Sequence, residues 1–350
     1  VLALTGCMVD SDIEGLQHRS PHVDLFFPPQ DLSALSRFME GRGLASGGVD
    51  PRSLTAKPAT SAFVNIIQGC DNFCSYCIVP YRRGRERSRP VDEVVDEVEG
   101  LAARGTKEVI LLGQNVDSYG HDLDGDASLA ALLHQLNAVE GLERIRFLTS
   151  HPKDMSDELI EAMARLDRVC EHVSLPVQAG DDGILEAMRR GYTAGQYVRL
   201  VERIRRAIPH VALSTDVIVG FPGESGEQFQ RTFDLLRESR FDTVHVACYS
   251  PRPGTIASRK LADDVPDAEK VRRRKAVEAL QEGIAAEING RLMGQRIEVL
   301  VEGRKKGKWW GRTRTDKLVF FEDSVDRRGQ LVDVEITHTG PWSLRGEVVV

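Results

Sequence analysis

The sequence predicts an α/β protein built around an open (β/α)6 partial barrel, with part of an α/β layer before it and a small all-β barrel after it. Three observations carry this. Apolar runs of strand length alternate with helically periodic segments six times between residues 62 and 250. From Gln295 the pattern changes to short strands and turns. The opening "VLALTGCMV" reads as an apolar strand ending in Gly6-Cys7, an element normally found inside an α/β layer. Six β–α units in series imply parallel strands joined by right-handed crossovers, with functional groups at the carboxyl ends of the strands.

Residues 1–45 are expected to be the last part of the α/β layer. The chain has no initiator Met and runs straight into a strand, so it is expected to be a fragment whose upstream part is missing. Gly-rich "GRGLASGGVDPRS" (41–53) reads as a linker, with the boundary drawn over 46–58. The barrel domain is expected over 59–285. Its strands are "AFVNII" (62–67), "EVILLG" (108–113), "RIRFLTS" (144–150), "HVSLPV" (172–177), "ALSTDVIVG" (212–220) and "TVHVACYS" (243–250). The first helix, "RPVDEVVDEVEGLAARG", has Pro90 at an early helical position and Gly105 as its stop. The later ones are "SLAALLHQLNAV", "SDELIEAMARL", "DDGILEAMRR", "AGQYVRLVERIRRAI" and "SGEQFQRTFDLLRES". A long amphipathic helix over 267–294 is expected to be capped by Gly294. The final domain, 286–350, holds the strands "RIEVLVEG", "WWGRTRT", "KLVFFE", "QLVDVEITHT" and "LRGEVVV", which suit a small barrel.

Hydrophobic content of 41% and charged content of 28% are those of a soluble globular protein. No apolar run approaches the roughly 20 residues of a membrane helix, and no signal peptide is evident, so a cytoplasmic location without a membrane partner is expected. The six cysteines do not suggest a disulfide scaffold, because three of them crowd together. Cys170 and Cys248 sit in apolar surroundings and read as buried free thiols.

The crowded stretch is "GCDNFCSYCIVPYRRGRERSRP", with Cys70, Cys74 and Cys77 inside eight residues. A structural zinc site would close with a fourth Cys or His, and the nearest downstream His is His121. Zinc completed from afar stays open as the weaker reading. Thiolates also hold iron–sulfur clusters. Three of them on a 4Fe–4S cube leave one iron able to bind a small molecule.

This spacing, with Tyr76 just before the last cysteine, resembles the signature of the radical S-adenosylmethionine (radical SAM) enzymes. The resemblance implies a radical SAM type of partial barrel and a 4Fe–4S cluster whose open iron is chelated by S-adenosylmethionine. Reduction then cleaves the sulfonium and yields a 5′-deoxyadenosyl radical. No catalytic residue is implied beyond the cluster ligands. The resemblance also places Gly113 and Gln114 of "LLGQNV" near the methionine amino group, and Gln178 and Arg190 of "LPVQAGDDGILEAMRRGYT" near the ribose or carboxylate. Gly220 and Glu224 of "DVIVGFPGE" match a Gly-rich turn near the adenine. Taken singly, each could be an ordinary turn or surface residue.

"LLGQNVDSYG", "LTSHP", "IVGFPGES" and "YSPRPGT" follow in the order expected of one subfamily, the methylthiotransferases, and the resemblance covers essentially the whole chain. The final module resembles the TRAM domain, an RNA-binding barrel. Gln114-Asn115 with Tyr119, and "GRTRTDKLVFFE", look most like the tRNA enzymes, which add a methylthio group to C2 of N6-isopentenyladenosine at position 37. Sister groups modify a ribosomal-protein aspartate or threonylcarbamoyladenosine. Such enzymes carry two 4Fe–4S clusters, the second held by three cysteines of an N-terminal domain. Cys7 in "TGCM" matches the third of these. The other two would lie upstream, so this chain is expected to lack a complete auxiliary site. An electron donor such as flavodoxin or ferredoxin is implied, and a monomer is expected.

Overall acidity, a net charge of −7, conceals two basic segments. Five arginines fall between Arg82 and Arg89. Seven basic residues, Arg304, Lys305, Lys306, Lys308, Arg312, Arg314 and Lys317, surround Trp309 and Trp310. Basic side chains follow phosphates and aromatic faces stack on unpaired bases, so the second segment is expected to touch tRNA. The competing reading is a solvated charged face with the Trp pair in the barrel core. A rival from another class is a zinc-stabilised RNA-binding module without catalysis.

Overall fold

The computed structural model describes residues 1–6, 9, 13–28, 31–44 and 59–349. Cys7 and the expected linker over 46–58 lie outside the described residues. The chain divides into two compact units, Val1–Lys57 with Tyr81–Gly84, and Pro58–Pro80 with Arg85–Val350.

In the first unit, β1 (Ala3–Thr5), α1 (Ile13–Arg19) and β2 (Leu25–Phe27) form a parallel β–α–β piece with Ala3 opposite Leu25. Asp31 starts α2 (Leu32–Gly41) by accepting from the Ala34 amide at 3.0 Å.

Along the rest of the chain, β3 (Ser61–Asn65) leads into β4 (Ile67–Gln68), α3 (Val79–Arg83) and β5 (Arg87–Ser88). Then follow α4 (Val91–Ala103), β6 (Glu108–Leu112), α5 (Leu129–Asn137), β7 (Arg144–Phe147), α6 (Asp157–Arg165) and β8 (His172–Ser174). After these come α7 (Asp182–Ala187), α8 (Ala194–Ala207), β9 (Ala212–Val219), α9 (Gly226–Ser239) and β10 (Thr243–Cys248). The helices begin where side chains can cap them. Ser128, Ser156 and Asp181 each accept an amide of the first turn, and Thr193/Gln196 and Ser225/Gln228 form reciprocal capping boxes.

All six long strands of this region are parallel, and they are ordered as in the sequence. β3, β6 and β7 form one sheet and β8, β9 and β10 another; an Ile145–Val169 bridge joins the two. The result is the expected half-barrel. Alternate residues divide its two faces. Val64, Val109, Leu111, Ile145, Phe147, Val173, Leu213 and Val217 are buried in the layer shared with the helices. The intervening residues face the lumen, and many of them are polar. Ser174, Ser214 and Thr243 stand in one row, Asp216 and His245 in the next.

α10 (Ile256–Lys260) and α11 (Asp267–Gly290) lead to the terminal barrel. α11 ends four residues before the expected cap, because the Gly294 amide is taken by the Ile336 carbonyl of that barrel at 2.8 Å. β11 (Arg296–Lys305), β12 (Lys308–Thr313), β13 (Leu318–Glu322), β14 (Leu331–Thr339) and β15 (Leu344–Val348) close in the order β11-β12-β13-β15-β14. Val299, Val301, Trp309, Val319, Phe321 and Val334 fill its centre.

Two arginines of β7 fasten this barrel to the amino-terminal ends of the half-barrel strands. Arg144 donates to the Arg312 carbonyl at 2.7 Å and to Glu298 Oε1 at 2.8 Å. Arg146 donates to the carbonyls of Thr313 and Arg314 at 2.5 and 2.7 Å and to Glu108 Oε1 at 2.6 Å. Three residues expected at an RNA surface lie in or beside this seam. Arg314 pairs with Glu171 at 2.8 Å, Lys317 with Asp242 at 2.6 Å, and Arg312 with Asp316 at 3.1 Å. Each of these three basic side chains thus has a carboxylate partner, and Arg312 stays 39% exposed.

Candidate active site

The cysteine loop is closed at its base and pinned along its length. β4 and β5 pair Ile67 with Ser88 and Gln68 with Arg87, so residues 69–86 leave and return at one point. Inside, Arg85 clasps Asp71 at 2.6 Å. Ser75 donates to the Ala187 carbonyl at 2.7 Å, and its amide reaches the Met188 carbonyl at 3.0 Å. The Ala257 amide returns to the Ser75 carbonyl at 2.7 Å. The main chain is thus held at its base and by the segments around α7 and α10, with Cys74 buried and Cys70 and Cys77 half-buried.

The Cys70 and Cys77 thiols are both shifted upward. Burial pushes Cys70 up to about 11, and the neighbouring Glu86, Cys74 and Cys77 push the same way. Burial also raises Cys77, with Cys74 adding to the shift and Arg252 and Arg190 opposing it. Cationic iron reverses this logic, since metal-bound thiols are deprotonated. Among the described residues no three His, Cys, Asp or Glu side chains are grouped so as to hold a single metal ion. A cube asks for something different, one thiolate for each of three irons. Three thiols within eight residues of one pinned loop fit that demand.

A cavity of about 380 Å³ opens beside the loop, lined by Tyr76, Cys77, Gln178, Asp216, His245 and Arg252 among others. Tyr76 and Gln178 were expected at the cofactor; Asp216, His245 and Arg252 were not. Asp216 opens "DVIVGFPGE" and Arg252 lies in "YSPRPGT", but neither is singled out there, and only the pairing of Asp216 with His245 across β9 and β10 brings those two together. Gln178 holds a left-handed backbone at φ 72° and ladders with β9, its amide donating to the Asp216 carbonyl at 2.8 Å. Thr149, at φ 71° beyond β7, is β-branched and strained there.

The remaining expected residues support the loop and its surroundings. Gly113 follows β6, where a Cβ would stand 2.3 Å from Ile67 Cγ2. Gln114 accepts the Gly69 amide at 2.7 Å, tying the start of the loop to the second strand. Arg190 is buried and donates to Cys74 Sγ at 3.3 Å, Tyr76 Oη at 3.4 Å, the Pro176 carbonyl at 3.0 Å and Tyr192 Oη at 2.9 Å. Glu224 is buried and accepts the Gly220 amide and Arg273 Nη1, both at 2.6 Å. Gly220 has φ 70°, and a Cβ there would meet Lys270 Cγ at 2.3 Å. The polar groups of this turn are therefore directed at α11.

The "LTSHP" stretch forms a buried polar cluster after β7. Asp117 accepts from Ser150 Oγ at 2.9 Å and the His151 amide at 3.1 Å; burial raises its carboxyl to about 7. Burial, helped by the Arg190 charge, lowers His151 to about 2. Cys170 is a buried free thiol, as expected; Cys248, also expected to be buried, is half-buried and lines the cavity beside Cys77.

On the terminal barrel, Arg304, Lys305 and Lys306 are exposed around the β11–β12 turn, with Lys308 beside them and paired with Glu322 at 3.1 Å. Trp309 is only 4% exposed and donates from Nε1 to the Asp323 carbonyl at 3.2 Å. It is a core residue with the Arg304 guanidinium above its ring at 5.5 Å. The exposed tryptophan is Trp342, in the turn "GPWS", a signal that an aromatic side chain between turn residues would have supplied.

Residues 64–236 match the radical SAM superfamily, and residues 290–349 match the TRAM domain. The chain is 52% identical to a tRNA-2-methylthio-N(6)-dimethylallyladenosine synthase of Dehalococcoides mccartyi, over 99% of this chain and 81% of that relative. It is 51% identical to the protein of the same name from a Roseiflexus species, over 99% of this chain and 74% of that one. Among solved structures, the cobalamin-dependent S-adenosylmethionine radical enzyme OxsB superposes with a TM-score of 0.51 at 10% identity, covering 79% of this chain and 43% of OxsB. Escherichia coli coproporphyrinogen III oxidase (HemN), a radical SAM enzyme, gives 0.50 at 17% identity over 67% of this chain and 54% of its own. These two show the fold alone. A radical SAM half-barrel, a TRAM barrel and half-identity along nearly the whole length place the chain in the tRNA-2-methylthio-N(6)-dimethylallyladenosine synthase family of radical SAM methylthiotransferases.

Proposed function

We propose that the protein transfers a methylthio group to C2 of N6-isopentenyladenosine at position 37 of tRNA. The observation that carries this reading is the pinned loop that gathers Cys70, Cys74 and Cys77 beside a cavity lined by Tyr76 and Gln178. C2 of adenine carries no acidic hydrogen, so polar substitution is closed to it. A 4Fe–4S cluster with S-adenosylmethionine, when bound, supplies the radical chemistry that this carbon requires.

The three thiols are assigned as cluster ligands, and they would release their protons to solvent as the cluster is loaded. Arg190 and Arg252 favour the anionic form of Cys77. Arg190 is assigned to orient Cys74 and Tyr76, with Gln178 facing the cofactor. Gly113 and Gln114 hold the loop against β6, and Gly220 and Glu224 fix the turn beyond β9. Cys7 is assigned as one ligand of the second cluster. Arg304, Lys305, Lys306 and Lys308 are assigned to follow the tRNA phosphates. No helix among the described residues is long and apolar enough to cross a membrane. A cytoplasmic monomer reduced by flavodoxin or ferredoxin fits this reading.

Anaerobic reconstitution with iron and sulfide tests it. Broad absorbance near ~400 nm, reductive cleavage of S-adenosylmethionine and a methylthio mass increment on isopentenylated tRNA are expected. A colourless protein carrying stoichiometric zinc overturns the assignment. A methylthio increment on a ribosomal-protein aspartate, with none on tRNA, moves the protein to the sister group.

A further inference from the structure

A hollow of about 570 Å³ opens on the helix side of the half-barrel, between the segment after β7 and α8. α8 buries Tyr197, Leu200, Val201 and Ile204 against the core. Arg199, Arg203 and Arg206, spaced four and three residues apart, therefore fall together on its exposed side. Lys153 adds a fourth cation to the lining, against one acid, Glu202, among the described residues.

Much of this charge is unspent. Arg199 and Arg206 have no carboxylate partner among the described residues. Arg203 reaches Asp157 at 3.4 Å, but the two side chains are 52% and 79% exposed, and such a pair holds little energy in water. Lys153 pairs with its neighbour Asp154 at 3.1 Å.

The wall of the hollow also leads inward. Tyr192 lines it and is half-buried. Its hydroxyl accepts from Arg190 Nε at 2.9 Å, and Arg190 Nη1 donates to Cys74 Sγ at 3.3 Å. Two side chains thus join the basic surface to the buried thiol by hydrogen bonds. Cys74 is 7% exposed, so a protein that passes an electron there has to dock over such a path rather than touch the sulfur. Any polyanion is drawn to the cations, but only a redox partner uses the route behind them. Small, polar, charge-steered contacts are the usual form of electron-transfer encounters.

We propose that the exposed face of α8 docks an acidic one-electron carrier protein, with Arg199, Arg203 and Arg206 facing its carboxylates and Tyr192 and Arg190 bridging to Cys74. The docked carrier loses one electron and the cluster held by the three thiols gains it; no bond forms or breaks. This inference rests on the cluster reading above and adds the place where its reductant sits.

The test uses the full chain reconstituted with its cluster, beside a variant carrying Arg199→Glu, Arg203→Glu and Arg206→Glu. Reduced flavodoxin, an acidic carrier, and dithionite are each mixed with the protein, and loss of the cluster absorbance is followed in time. The variant is expected to be reduced by flavodoxin about 10-fold or more slowly at low salt, a gap that closes as salt screens the surface charge. Its reduction by dithionite and its tRNA affinity are expected to match the unaltered chain. An unchanged flavodoxin rate overturns docking on this face. So does a parallel loss of tRNA affinity, which gives the face to phosphates, and so does an unaltered chain that dithionite reduces and flavodoxin does not. All three leave the cluster reading in place. A reconstituted chain with no cluster absorbance to lose overturns both.

Discussion

The seam between the two barrels depends on Arg146, so Arg146→Met is the most informative single change. Arg146 is 3% exposed and its partner Glu108 2%, so the pair is almost fully removed from water. The substitution keeps an unbranched side chain of similar reach and removes every donor. Glu108 would then be a buried carboxylate held by Ser61 Oγ alone, at 2.9 Å. Breaking a buried ion pair from one side costs about 3–5 kcal/mol. The carbonyls of Thr313 and Arg314 also lose donors, worth about 1–3 kcal/mol each where they stay buried. These losses share one side chain and are not additive. A net destabilisation of about 3–6 kcal/mol is expected. All three tryptophans, Trp309, Trp310 and Trp342, lie in the terminal barrel, so their emission reports that barrel while far-ultraviolet dichroism reports the helices. Urea transitions by the two probes should coincide in the unaltered protein. They should separate in Arg146→Met, with fluorescence moving first. Adding Glu108→Gln should recover part of the loss, because the stranded charge is gone. A change below about 1 kcal/mol with coincident transitions would refute the reasoning, since a buried pair of this geometry cannot be removed so cheaply.

Cys74→Ala should abolish both the cluster absorbance and cleavage of S-adenosylmethionine, and cleavage retained by that variant would contradict the ligand assignment. Gly113→Ala should destabilise the fold by about 1–3 kcal/mol in urea titration, because its Cβ overlaps Ile67. Combined Lys305→Gln, Lys306→Gln and Lys308→Gln should weaken tRNA binding across sequences and lower its salt slope by up to about 3; an unchanged slope would move the phosphate contacts elsewhere. His172 is lowered to about 4 by burial, while the unfolded chain titrates it near 6.5, so the unfolded state binds the extra proton between these values. Stability should therefore fall as pH drops from 6.5 to 4, by on the order of 3 kcal/mol, and His172→Gln should flatten that segment of the curve.

Local chemistry determined much of this protein. Strand and helix positions follow from apolar periodicity and caps such as Ser128, Thr193 and Ser225, whose partners lie within a few residues. The order of the half-barrel strands follows from chain connectivity, and the clustered thiols follow from spacing alone. The tertiary structure decided how charge and aromatic surface are spent. Arg314 meets Glu171 across 143 residues and Arg146 meets the Arg314 carbonyl across 168, distances at which a linear reading sees only a basic run. Trp309 lies inside a barrel because strand pairing and closure assign its face, whereas Trp342 is exposed in the turn between β14 and β15. Arg190 turned out to grip Cys74 and Tyr76, which pairwise geometry alone could reveal. Short-range propensity reaches a few residues, whereas burial and ion pairing are settled only when distant segments meet.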